Sequence, residues 1–217
     1  MATQVTGDLY VELDGKLCEI KRQMRQPGGY PFDPEKLNRF LQRAVEGRLD
    51  GQQWREENGV IYLEVTSDGA TGPEWVERLE GKGFRLSDYA KSVLRSQDFK
   101  PTNGVTYRIA VRKGTLSGRI TTSEIRAEAG RRNLETPNAE AACLIREKFS
   151  DEDLEDMGLS WIVVFHEPIK DSFGFPNLLG SNRSDGGRWL DAYYGGPNDR
   201  WRSTCGFAFA LPQVSSD

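Results

Sequence analysis

The sequence predicts an α+β protein with a mixed or antiparallel sheet, short helices and a loop-rich C-terminal region. Three observations carry this reading. Runs that alternate apolar and polar residues are interspersed with runs of helical period. Most helical runs are short and open on a capping residue. An Asp-Gly pair flanked by alternating apolar positions reads as a local hairpin, which a regular doubly wound sheet does not need.

The elements follow in order. Leu9, Val11 and Leu13 alternate with polar neighbours, and Leu17 and Ile20 lie beyond Asp14-Gly15, so a hairpin is expected there. Asp33 and Pro34 suit the cap and first position of a helix whose apolar face is Leu37, Phe40, Leu41, Ala44 and Val45. Val60 to Val65 reads as a buried strand. Thr71 and Glu74 have capping-box spacing and open a helix faced by Trp75, Val76 and Leu79. Ser87 caps a short helix, and Val105, Tyr107, Ile109 and Val111 alternate as a half-buried strand.

Gly114 to Gly118 marks the expected boundary between a unit over 1–115 and a unit over 116–217, which can also pack as one domain. Thr121 and Glu124 repeat the capping box. Thr136-Pro137 is expected to start a helix through Phe149, and Ser150 to cap a short acidic one ending near Gly158. Trp161 to Phe165 is a continuous apolar strand, and Cys205 to Leu211 closes the chain.

Composition narrows the function classes. A net charge of −4 gives no global attraction to nucleic acid or to an anionic membrane. Cys18, Cys143 and Cys205 are odd in number, far apart and without a C-x-x-C pair, which argues against zinc and a disulfide framework and for a reducing, cytoplasmic setting. No apolar run approaches membrane-spanning length, and no nucleotide-binding glycine motif is present, so neither a cofactor nor a metal is expected.

Four places bear on chemistry. The Ser67 to Gly72 loop precedes a helix, where backbone N–H groups favour anions, but it has no P-loop lysine and helix capping explains it. A basic run holds Arg108, Arg112, Arg119, Arg126 and Arg131, opposed there by only Glu124 and Glu128, and offers a nucleic-acid reading against that of a solvated face. His166 is the single histidine and leaves a buried strand beside Glu167 and Asp171, the pattern of a small hydrolase-like centre or of a hydrogen-bonded core edge. Residues 170–204 interleave aromatics with arginines and carboxylates, and Arg188, Trp189, Tyr193, Tyr194, Asp199, Arg200 and Trp201 are the candidate ligand contacts. The same rings can instead fill an irregular core.

Two stretches carry resemblances. Gly72-Pro73-Glu74-Trp75 through Gly114, with Asp88-Tyr89-Ala90-Lys91 and Asp98-Phe99-Lys100-Pro101-Thr102, is similar to a widespread family of uncharacterised bacterial proteins, as are Asn138 to Phe149 and His166-Glu167-Pro168-Ile169. That resemblance implies no activity. Gly186-Gly187-Arg188-Trp189, Asn198-Asp199-Arg200-Trp201 and Gly206-Phe207-Ala208-Phe209 resemble the end of C-type-lectin-like and formylglycine-enzyme-like domains, which implies ligand-binding loops before a final strand. The disulfide pair and catalytic cysteines of those domains are absent, which removes the oxidase reading. The favoured expectation is a non-catalytic binding protein that meets a protein or small molecule through 170–204.

Overall fold

The computed structural model describes residues 7–26, 33–45, 53–114, 120–184, 187–202 and 204–212. The chain falls into two compact units, Met1–Gly51 and Gln52–Asp217. The expected boundary near residue 115 is therefore corrected: strands on both sides of it belong to one sheet, and the division lies at 51/52.

The first unit holds helices α1 (Gly7–Met24) and α2 (Pro34–Val45). The expected hairpin over 9–20 is thus a helix. Tyr10, Leu13, Leu17, Ile20 and Met24 recur at intervals of three and four, a helical period that outweighs the alternation of Leu9, Val11 and Leu13. Lys16–Glu12 and Arg22–Glu19, each at 2.6 Å, tie successive turns together. Gly15 sits mid-helix at a penalty of about 1 kcal/mol relative to alanine, too little to break it. Asp33 caps α2 as expected, its Oδ1 accepting from Glu35 N at 2.9 Å.

The second unit contains β1 (Trp54–Glu57), β2 (Val60–Asp68), α3 (Gly72–Gly81), β3 (Arg85–Leu86), α4 (Asp88–Leu94), β4 (Asn103–Lys113), β5 (Ile120–Thr121), α5 (Thr122–Arg131), α6 (Glu140–Lys148) and α7 (Asp151–Asp156). It continues with β6 (Trp161–Val164), β7 (Ile169–Lys170), β8 (Pro176–Ser184), β9 (Gly187–Tyr194), β10 (Arg200–Trp201) and β11 (Cys205–Ala210). The main sheet runs β1-β2-β4-β11-β6-β8-β9-β3, with β7 beside β8. β11–β6 and β9–β3 are parallel and the other neighbours antiparallel, so the α+β fold has a mixed sheet.

Local chemistry explains many of the ends. Asn58-Gly59, both at positive φ, turn β1 directly into β2. Glu124 accepts from Thr121 N at 2.8 Å while Thr121 Oγ1 accepts from Glu124 N, the capping box expected for α5. Ser150 and Asp153 do the same for α7. Gly72 starts α3 where any Cβ would run into the Leu94 carbonyl oxygen, so the α3–α4 approach requires glycine.

Two apolar clusters lie on opposite sides of the sheet. The larger joins α3, α4, α6 and α7 to Ile61, Leu63, Ile109, Val111, Ile162 and Val164. The smaller gathers Ile125 and Ala129 of α5 with Val163, Phe165, Leu178, Trp201, Phe207 and Phe209. Alternation along β11 sends Phe207 and Phe209 to the smaller cluster and Ala208 to the larger. The segment expected to be loop-rich is largely the β8–β9 hairpin; glycine, asparagine and aspartate within it masked the strand pattern, while the pairing Leu178↔Tyr193 through Ser184↔Gly187 holds it.

Candidate recognition site

The aromatics of 170–204 divide between core and surface. On the face of the smaller cluster, Trp161 at the start of β6 stacks on Tyr193 of β9, with centroids 5.4 Å apart and planes 23° apart. Tyr193 meets Trp201 of β10 edge-on at 6.1 Å. Trp201 is 5% exposed, and its Nε1 donates to Thr122 Oγ1 at 2.9 Å, which locks the ring against α5. Burial, then the charge of Asp191, push the Tyr193 hydroxyl up from its ordinary pKa, so it stays protonated.

These rings floor a recess of about 220 Å³, lined by Trp161, Tyr193, Tyr194, Asp199, Arg200, Trp201 and Arg202. Arg200 and Arg202 are exposed at its rim, and the Arg202 guanidinium lies 5.9 Å from the centre of the Trp161 ring. The loop before β10 is braced: Thr122 N donates to Asp199 O at 3.0 Å, Ser123 N to Pro197 O at 3.1 Å, and Gly196 N to Asp199 Oδ2 at 2.8 Å. The first two of these bonds occupy the first N–H groups of α5.

Tyr194 leads from the recess to further exposed rings. Phe175 packs edge-on against Tyr194 at 5.7 Å, and Phe173 lies 6.5 Å from Tyr89. Phe173 is 74% exposed and Phe175 53%. Their loop is ordered by Asp171, whose Oδ1 accepts from Phe173 N at 2.9 Å and Phe175 N at 3.0 Å, and whose Oδ2 accepts from Asn177 Nδ2 at 3.0 Å. Burial opposes ionisation of Asp171, but these donors outweigh it and hold its carboxyl below the usual range. Ser172 N donates to Ser92 Oγ and fastens the loop to α4.

Five of the seven expected ligand contacts, Tyr193, Tyr194, Asp199, Arg200 and Trp201, therefore meet at one recess. Arg188 and Trp189 do not. Arg188 lies over Phe84 at 4.4 Å and donates to Lys82 O at 3.1 Å, a packing role, on the sheet face opposite Tyr193. Trp189 is half-buried beneath Arg85 at 5.6 Å. Trp161 and Arg202 also line the recess and are not among the expected contacts. Trp161 opens an apolar run, but its parity with Val163 and Phe165 places it on the recess face; Arg202 directly follows Trp201.

The His166 centre is not assembled for catalysis. The ring is 1% exposed; Nδ1 donates to Glu167 O at 2.6 Å, and Nε2 accepts from Leu179 N at 2.9 Å. Both nitrogens are consumed by backbone, so the imidazole has no lone pair or proton for a substrate. An open cleft of about 600 Å³ runs past Asp98, Lys100, Asn138, Glu167 and Pro168, but His166 enters it sealed. The Asp171 carboxylate is committed to its own loop.

The basic run is scattered. Arg126 points inward, donating to the carbonyls of Phe165 and His166. Glu128 holds Arg112, Arg131 and Arg132 at 2.6–2.8 Å, and hydrogen bonds from Arg132, Arg131 and Arg112 pull its carboxyl down to about 2. Arg108 stands beside Glu64, 3.9 Å away, and Arg119 lies outside the described residues. The Ser67–Gly72 loop is likewise used internally: Ser67 Oγ accepts from Val105 N at 3.0 Å, and Asp68 holds Arg78 at 2.6 Å.

Glu140, 1% exposed at the start of α6, has only hydrogen-bond donors around it: Thr102 N and Oγ1, and Tyr107 Oη at 2.5 Å. Burial and the bond to Glu140 raise the Tyr107 pKa to about 12, so it remains the donor. Tyr107→Phe removes that donor and is expected to lower unfolding free energy by about 1–3 kcal/mol in urea titrations. Among the described residues no group of three or more His, Cys, Asp or Glu is placed to share a metal ion, and no described helix is long and apolar enough to cross a membrane. No family model, curated protein or solved structure matches this chain.

Proposed function

We propose that this chain is a non-catalytic binding protein and that the recess beneath Arg200 and Arg202 receives one side chain of an acidic partner segment. The supporting observation is the union of an aromatic floor, two exposed guanidiniums and the neighbouring rings Tyr194 and Phe175. Aromatic and arginine anchors of this kind supply most of the energy in protein interfaces. A recess of about 220 Å³ is below the size of most small-molecule sites and suits a single inserted group. The hydrogen bonds of Asp171 and Asp199 arrange the contact surface in advance, which reduces the entropy lost on binding.

Selection from a display library of short random peptides tests the reading. Recovered peptides are expected to carry an aromatic or aliphatic residue flanked by Asp or Glu. Arg200→Ala with Arg202→Ala should weaken them about tenfold or more. The same pair should change unfolding free energy by less than about 0.5 kcal/mol, because both side chains are exposed. Peptides without acidic enrichment, or undiminished binding to the double variant, would refute the assignment.

A further inference from the structure

Helix α1 carries a surface that the recognition site does not use. Tyr10, Leu13, Leu17, Ile20 and Met24 are spaced three and four apart in alternation, the seam of a heptad repeat. Tyr10 is 66% exposed, Leu13 45%, Leu17 43% and Met24 51%. Most helical stability in proteins comes from packing an apolar face, and this stripe stays largely exposed, so it calls for a covering surface. A narrow seam of period 3.5 fits best against another of the same period, since knobs then meet holes along its whole length. The charged side of α1 carries Asp8, Glu12, Asp14 and Glu19 against Lys16, Lys21 and Arg22, which gives an anionic membrane nothing to attract.

We propose that α1 pairs with α1 of a second copy of this chain, in an antiparallel coiled coil. The residues flanking the seam choose the direction. Asp14 and Lys21 border one side, and Lys16 and Gln23 the other. A parallel, in-register pair sets Lys16 against Lys21 of the second helix, twice by symmetry. The antiparallel pair sets Asp14 beside Lys21 twice and Lys16 beside Gln23, while Leu17 packs on Ile20 and Leu13 on Met24. The two copies thereby bury the same stripe, the self-complementary contact of a twofold dimer.

Sedimentation equilibrium of the full chain across micromolar concentrations decides the matter. A monomer–dimer equilibrium is expected. Leu17→Glu with Ile20→Glu should abolish the dimer without shifting the thermal transition of the Gln52–Asp217 unit. Lys21→Glu leaves the seam intact but turns two attractive contacts into repulsive ones, and should weaken the dimer about tenfold. Adding Asp14→Lys should restore it. The proposal is overturned by a chain that stays monomeric, by a dimer that survives loss of the seam, or by tighter association on Lys21→Glu, the response of a parallel pair.

Discussion

Arg146→Ala is expected to lower the unfolding free energy by about 3–5 kcal/mol, from the cavity left by a large buried side chain together with the loss of its charge-assisted hydrogen bonds. The Arg146 side chain is fully buried in the middle of the second unit. It pairs with Asp151 at 2.9 Å, donates to Phe149 O at 2.6 Å and Asn182 O at 3.4 Å, and lies 5.4 Å from the centre of the Phe84 ring. One guanidinium thus ties α6, α7 and β8 together. Burial lowers its pKa, yet its acceptors hold it ionised. Truncation leaves the Phe149 carbonyl without its donor and a cavity beside Phe84. Arg146→Met, which refills the volume without the donors, should recover part of the loss. Urea titration of the two variants separates the terms; an effect below about 1 kcal/mol for alanine would contradict a structural role.

The second large effect is in pH dependence. Burial, helped by nearby Arg126 and opposed by the hydrogen bond to Glu167 O, lowers the pKa of His166 to about 4. The unfolded chain titrates this group near 6.5. Between these values the unfolded state binds the extra proton, so stability rises with pH across that window. The contribution is fully present above 6.5 and is lost as the pH falls to 4. A depression from 6.5 to about 4 corresponds to about 3 kcal/mol. Glu128, held near 2, withdraws its contribution only below its usual value of about 4.5, which leaves most of the histidine window clear. Urea titrations at several pH values should show the wild-type chain losing about 3 kcal/mol more than His166→Gln between neutrality and pH 4. Equal slopes would mean the imidazole accepts a proton freely.

Turn and cap chemistry was the most legible layer of this sequence, and its one large failure is instructive. Thr121–Glu124 and Ser150–Asp153 cap helices as their spacing predicts. Asp14-Gly15 lies inside a helix, whereas Asn58-Gly59 makes the hairpin turn. Both pairs suit a hairpin locally; the flanking period decides, and around Asp14 it is three and four rather than two. The β8–β9 hairpin was hidden for the opposite reason. Asn177, Gly180, Asn182 and Asp191 are poor strand formers alone, and cross-strand pairing with β6 and with each other overrides them.

By itself the sequence determined the α+β class, the ends of many helices and most of the residues that line the aromatic recess. Each depends on interactions within a few positions, so each is written in local spacing. Only the tertiary structure decided that His166 is sealed, that Arg188 packs on Phe84 rather than awaiting a ligand, and that Trp161 completes the recess floor. Those outcomes rest on contacts such as Trp201 Nε1 to Thr122 Oγ1, 79 residues apart in the chain. Burial and hydrogen-bond satisfaction arise only when distant segments meet, and no periodicity records them.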